Sequence, residues 1–300
     1  MMEPMPLRDL LPKGNDVERL FGRRHVLIGM LHLLPLPGAP RYDPRRGVQA
    51  AATRALAEAR QLLDAGFDGV IVENAWDIPF VKPDDVGHET TAAMTVVVSE
   101  LRTEFADLPI GINCLANAVE VSVAVATATG SSFVRANQWV NAYVANEGLI
   151  EGRAGAVSRY RHAIGGDDVS VWADVQVKLG AHAITADRSL TEQAKDAAWF
   201  DADALIVTGA RLGDPPDHTD LKLIAQATPL PVVVGSGVRV DNLADVLASA
   251  DAVIVGTSIK RGGVWHGEMD DQTLAAMAAE RDRVAAKDAA GVNDDGADQS

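Results

Sequence analysis

Cysteine is nearly absent. Cys114 is the single one in 300 residues, which excludes an intramolecular disulfide framework and a cysteine-built zinc site. Long apolar runs are missing too. None approaches the ~18–20 uninterrupted residues that a membrane helix needs, so no integral membrane segment is expected. The first 16 residues carry Glu3, Arg8, Asp9, Lys13 and Asp16 without an apolar core. A secretory signal is therefore not expected, and the cytoplasm is the default compartment. Positive charge is scarce: 27 Lys plus Arg face 42 Asp plus Glu, a formal net charge of −15. Such a field repels phosphate backbones and anionic lipid, so nucleic acid is not an expected partner. Within that total there are 29 Asp to 13 Glu and 7 Lys to 20 Arg. An Asp-rich, Lys-poor surface suits solubility in concentrated salt, where long-range repulsion is screened. A GC-rich genome, which favours Asp, Ala and Arg codons, accounts for the same bias.

What is present is ordinary globular material, 47% hydrophobic and 23% charged, enough for a substantial core. Eight short apolar runs follow one another: 26–33 (VLIGMLHL), 69–74 (GVIVEN), 109–115 (PIGINCL), 133–137 (FVRAN), 171–178 (VWADVQVK), 204–209 (ALIVTG), 231–237 (PVVVGSG) and 252–259 (AVIVGTSI). Their length and β-branched content predict strands. Between them lie helix-like stretches at 48–65, 88–105, 116–129, 151–164, 190–200, 220–227, 241–248 and 270–286. Several begin at Asp or stop at Gly, as helices do. The first and last runs start at 26 and 252, which is 226 residues over seven intervals, or about 32 per unit. Eight strand–helix units of that length predict a single (β/α)₈ TIM barrel. A doubly wound open sheet is the alternative, but its glycine-rich nucleotide turn is absent after the first run, where Leu33-Leu34-Pro35-Leu36-Pro37-Gly38 stands. Residues 1–24 form an N-terminal lead, with a short helix at 17–21 closing the barrel bottom. Residues 25–287 form the barrel, and the acidic, small-residued tail 288–300 is expected to be disordered.

In this fold chemistry sits where strands end. The fifth run alternates Val171, Ala173, Val175, Val177 with Trp172, Asp174, Gln176, Lys178. Period-two geometry turns the first set to the helices and the second into the barrel. A buried charge needs a partner, and Asp174 and Lys178 could supply one another or merely form a register-setting ion pair. Other strand ends add His32, Glu73, Asn74, Asn113, Arg135, Asn137 and Thr208. This set suits a small polar ligand. A metal held by His32, Glu73 and Asp174 has no ligand-spacing motif behind it, so neither metal nor cofactor is expected. Gly235-Ser236-Gly237 follows the seventh run and Gly256-Thr257-Ser258 the eighth. Glycines let backbone N–H groups approach an anion, and loops after these two strands often build a phosphate site. Lys260 and Arg261 stand just beyond and could add charge.

The stretches GMLHLLPLPGAPRY (29–42), GVIVENAWDIPF (69–80), TAAMT (91–95), GINCLANA (111–118), FVRANQWV (133–140), NEGLIEGRAGAVSRYR (146–161), ADVQVK (173–178), VGSGV and VIVGTSIK resemble the BtpA/SgcQ family, in order, over about residues 25–285. The resemblance implies a barrel of the ribulose-phosphate-binding type. The family's cyanobacterial namesake is tied to photosystem I accumulation, whereas other members occur beside sugar-metabolism genes. The family often reads VKHA where this chain has Val177-Lys178-Leu179-Gly180, so any role of that histidine is absent here or moved to His182. Two functional expectations follow. One is an isomerase or aldolase-type lyase acting on a phosphorylated sugar or nucleoside-derived compound. In it Asp174 or Glu73 moves a proton, and Lys178 serves as an electrophilic cation or Schiff-base nucleophile. His32, Asn113, Arg135, Asn137, Gln176 and Thr208 hold the substrate. The other is a non-catalytic assembly or regulatory factor that keeps the barrel as a binding module. Homo-oligomerisation is left open by the sequence.

Overall fold

The structure is a computed structural model, and it describes residues 13–209 and 213–294, with side chains to residue 290. Eight parallel strands close a barrel. They are β1 (Val26–His32), β2 (Gly69–Glu73), β3 (Ile110–Asn113), β4 (Phe133–Ala136), β7 (Ser170–Asp174), β8 (Ala204–Val207), β9 (Val232–Val234) and β10 (Ala252–Val255). Around the ring the order is β1-β10-β9-β8-β7-β4-β3-β2, and β1 pairs with both β10 and β2. The helices are α1 (Asp16–Phe21), α2 (Gly47–Asp64), α3 (His88–Glu104), α4 (Val119–Thr129), α5 (Ala154–Ala163), α6 (Leu190–Trp199), α7 (His218–Ala227), α8 (Leu243–Leu247) and α9 (Asp271–Asp294). All eight apolar runs became barrel strands, but most stop earlier than the runs do. The fifth ends at Asp174 rather than residue 178, because the chain there leaves the ladder for the mouth loops.

The alternation of side chains builds two apolar layers. Leu27, Leu31, Val70, Val72, Val171 and Ala173 face the helices. Val26, Ile28, Met30, Ile71, Phe133 and Trp172 fill the barrel interior. Phe133 stacks on Trp172 at 4.0 Å between centroids. Gly111 makes room for this layer, since a Cβ there would collide with the Phe133 ring. The short N-terminal helix does close the bottom. Val17 is fully buried, and Asp16 Oδ2 accepts from Trp172 Nε1 at 2.7 Å while its Oδ1 accepts from Ser170 and Arg19.

Three features depart from the sequence reading. The stretch after β4 is not loop running into helix: β5 (Ala142–Ala145) and β6 (Gly148–Glu151) form an antiparallel hairpin beside the mouth. Helix α5 therefore starts only at Ala154. The last helix runs to Asp294, so the boundary drawn at 288 falls inside it. The Ala-rich stretch around Lys287–Ala290 has high helix propensity, which a charge-based reading underweights. Residues 1–12 of the lead and 295–300 of the tail lie outside the described residues. Among the described residues no helix is long and apolar enough to cross a membrane.

Candidate functional site

A cavity of about 630 Å³ opens at the C-terminal ends of the strands, and it is lined from nearly every side of the ring. β1 contributes His32, β2 Glu73, and β4 Arg135 with Asn137 just beyond it. The loop after β7 contributes Lys178, and the loops after β9 and β10 contribute 235–239 and 256–258. Strand geometry explains the convergence: each of these residues stands at the point where a strand gives way to its loop.

The floor is a charged network. Arg135 Nε and Nη2 donate to the two carboxylate oxygens of Asp174, each at 3.0 Å, and Asn137 Nδ2 adds a third bond at 3.1 Å. The Asp174 side chain is 0% exposed and does not line the cavity. The expected Asp174–Lys178 pair is therefore not formed. Arg135 holds both carboxylate oxygens, and Lys178 has no ion-pair partner among the described residues. Burial, and next the charge of Arg135, push the Lys178 ammonium down to about 8, against the opposing pull of Asp174 and Glu73.

Of the two expected carboxylates, Glu73 is the one that reaches the cavity. Asn113 Nδ2 donates to its Oε2 at 2.6 Å, and His32 Nε2 lies 3.7 Å from Oε1. Asn113 is fully buried behind Glu73 and does not line the cavity; it orients the carboxylate instead. His32 Nδ1 is 3.1 Å from the Trp265 carbonyl, which fixes the proton on Nδ1 and leaves Nε2 facing Glu73. Burial foremost lowers the His32 pKa below its ordinary value, against the opposing pull of the Glu73 carboxylate. With Asp174 turned to Arg135, the trio His32, Glu73 and Asp174 does not converge.

The two glycine loops meet on one side of the mouth. Among the described residues, the backbone N–H groups of Ser236, Gly237, Val238, Thr257 and Ser258 have no protein acceptor. Gly237 has φ +71°, and a Cβ there would collide with the Asp214–Pro215 backbone, so glycine is required twice over. Ser258 Oγ donates to the Val238 carbonyl at 2.5 Å and ties the loops together.

Several expected residues stand elsewhere. Gln176 and Thr208 line a neighbouring cavity of about 570 Å³, where Thr208 Oγ1 donates to the Gln176 carbonyl. Beyond Asp174 the strand alternation no longer governs direction. Asn74 is buried as a brace: it accepts from Leu115 N at 2.7 Å and donates to Asp77 at 3.0 Å. Lys260 points away from the cradle. Its buried ammonium is 2.9 Å from Glu58 on α2, and Arg261 pairs with Glu268 at the surface. The cation beside the cradle is Arg239, two residues after Gly237. His182 also lies outside the main cavity; its Nε2 donates to the Val177 carbonyl at 2.8 Å and its ring stacks on Tyr143, bracing the loop that carries Lys178. The sequence reading missed Arg239, Trp265, Phe80 and Tyr143. Only Arg239 had a local signal, its place directly after the glycine loop.

The BtpA family model matches residues 23–282. A protein of Archaeoglobus fulgidus is 39% identical over 243 residues, covering 81% of this chain and 94% of the relative. The photosystem I biogenesis protein BtpA of Synechocystis is 36% identical over 267 residues, covering 87% and 90%. A mitochondrial protein of Caenorhabditis elegans is 35% identical over 256 residues, covering 84% and 91%. Among solved structures, thiamine phosphate pyrophosphorylase from Pyrococcus furiosus superposes with TM-score 0.54 at 15% identity, over 90% of this chain and 99% of that one. The phosphoribosylanthranilate isomerase from the same organism gives 0.51 at 11% identity, over 86% and 98%. At these identities the likeness is one of fold.

Proposed function

This chain belongs to the BtpA family, and from that premise we propose that it is an enzyme of phosphorylated small molecules, with isomerase or aldolase-type lyase chemistry. The observation that carries the reading is the set of five acceptor-free backbone N–H groups at Ser236–Val238 and Thr257–Ser258, on residues that line the same cavity as Glu73 and Lys178. Backbone N–H groups without partners favour an anion strongly in a site shielded from water. Arg239 lines the cavity two residues beyond Gly237; its Nε pairs with Asp241 at 3.1 Å, and the rest of its guanidinium supplies further donors where the overall field is negative. Both solved neighbours named above are, by name, proteins of phosphorylated compounds.

The chemistry then divides between two groups. Glu73, oriented by Asn113, removes a proton next to a substrate carbonyl. Lys178 acts on the carbonyl itself. As an ammonium it stabilises the developing enolate oxygen; as a neutral amine it adds to the carbonyl carbon and expels water to form a Schiff base. A pKa of about 8 keeps both forms accessible near neutral pH. Arg135, held in place by Asp174, lines the same cavity. No cofactor enters this scheme. The Synechocystis relative carries a biogenesis name, and a barrel retained as a binding module is the reading that gains if no phosphate binds.

The test is a thermal-shift screen in high potassium chloride, with pentose, hexose and nucleoside phosphates beside their unphosphorylated partners. A ligand at ~100 times its dissociation constant adds about 2.7 kcal/mol. The expected result is a shift with a phosphate, none with its unphosphorylated partner, and loss of the shift in Ser236→Asp. A well-folded protein that no phosphate stabilises overturns the reading.

A further inference from the structure

The cavity holds more than a phosphate and a carbonyl. Its volume of about 630 Å³ lies in the ~300–1,000 Å³ range of sites for drug-sized ligands, and a triose phosphate would leave most of it filled with water. The wall across the mouth is also of the wrong chemistry for a bare sugar. In the ring order β1-β10-β9-β8-β7-β4-β3-β2, β3 stands opposite β9 and its glycine loop. On that far side the loops after β2 and β3 present Ile78, Pro79, Phe80 and Leu115 to the cavity.

Trp265 completes the wall. Its loop follows β10 but folds back over β1 and β2, so its ring lies 4.9 Å from Trp76 and 5.8 Å from His32 between centroids. Its carbonyl is held by His32 Nδ1 at 3.1 Å. Trp265 is thus braced from behind and still lines the cavity. Between wall and cradle stands Asn137. Its Nδ2 is committed to the Asp174 carboxylate, which can only accept; that fixes the amide orientation and leaves Oδ1 buried with no partner. A buried acceptor of this kind calls for a donor brought by the ligand, and a hydroxyl is the simplest.

We infer that the ligand has three parts: a phosphate at the glycine loops, a hydroxyl-bearing spacer at Asn137, and a planar apolar or aromatic group against Trp265 and Phe80. A ribose phosphate bearing a base or aryl ring has this order of chemistry; a simple sugar phosphate lacks the third part. The inference rests on the phosphate reading above and narrows it. An apolar wall kept in water gains from apolar ligand surface and nothing from further hydroxyls. The aromatic rings add stacking with a planar partner.

The test is calorimetric titration of the full chain with inorganic phosphate, ribose 5-phosphate, adenosine 5′-monophosphate, uridine 5′-monophosphate and adenosine. At least one nucleotide is expected to bind tenfold or more tightly than ribose 5-phosphate. In Trp265→Ala and, separately, Phe80→Ala, that ratio should fall below threefold, with folding of each variant checked by its melt. The inference is overturned if both nucleotides bind no more tightly than ribose 5-phosphate, or if neither variant narrows the ratio. Failure of the phosphate reading looks different. There adenosine binds as well as its monophosphate, or Ser236→Asp leaves the ribose 5-phosphate affinity intact, or nothing in the panel binds.

Discussion

Arg135 and Asp174 close a two-armed ion pair in the barrel floor, with Nε and Nη2 each 3.0 Å from a different carboxylate oxygen. Each satisfies the other where water cannot. The proposed chemistry divides accordingly: the carboxylate under Arg135 is assigned to positioning, and the one beside His32, which lines the cavity, to proton transfer.

Asp174→Asn should therefore act first on stability. It leaves the Arg135 charge buried without its counter-ion, a change that costs about 3–5 kcal/mol. For a chain of this size that lowers the melting temperature by roughly 6–20 °C. Glu73→Gln, at a carboxylate that faces the cavity, should shift the melt by only a few degrees while abolishing turnover. Melts of the two variants, side by side, check the assignment; equal destabilisation would sink it.

Lys178 gives a pH test with a definite sign. Its folded pKa of about 8 lies below the ordinary lysine value of 10.5. Between those values the unfolded chain binds the extra proton, so this group makes stability rise with pH over that window. Below pH 8 its destabilising effect is fully present. Lys178→Met is expected to melt higher than wild type at pH 7, with the gap closing as pH rises toward 10. A gap that is flat across this range would contradict the shifted lysine.

The two lysine roles separate chemically. If Lys178 captures a carbonyl, borohydride added during turnover reduces the Schiff base and leaves a mass increment on Lys178, and activity rises through pH 8. If it serves as a cation, no adduct forms and activity falls above pH 8. Peptide mass spectrometry with a pH–rate profile distinguishes them.

Cradle and scaffold cations should part company. Lys260 is buried 2.9 Å from Glu58, so Lys260→Met should lower the melt by several degrees and leave phosphate affinity within twofold. Arg239 is half-exposed beside the cradle, so Arg239→Ala should leave the melt nearly unchanged. It should weaken phosphate binding several-fold, with a loss that shrinks as salt screens the charge. Titrations at two salt concentrations check both.

The barrel bottom offers a control. Asp16 accepts from Trp172, Ser170 and Arg19, far from the mouth. Asp16→Ala strands the buried Trp172 N–H, which costs about 1–3 kcal/mol. Ligand affinity in the folded protein should not move.

The barrel is legible in the order of residues alone. Eight apolar runs about 32 residues apart leave few ways to bury every strand, and the alternation of Val171, Trp172, Ala173 and Asp174 decided which faces meet the helices. The order of residues also placed the two glycine loops, because positions that need backbone freedom leave a local mark such as Gly237. Where a strand ends, that legibility ends with it. Gln176 and Lys178 share a face on paper and line different cavities in the fold, since beyond Asp174 no ladder dictates direction. Partners on separate strands or helices are invisible to period and spacing. Only the tertiary structure could decide that Arg135 takes Asp174, that Glu58 takes Lys260, and that Trp265 returns over His32 to wall the mouth. A charge chooses its counter-ion by distance in space under the cost of desolvation, and the order of residues along the chain does not encode that distance.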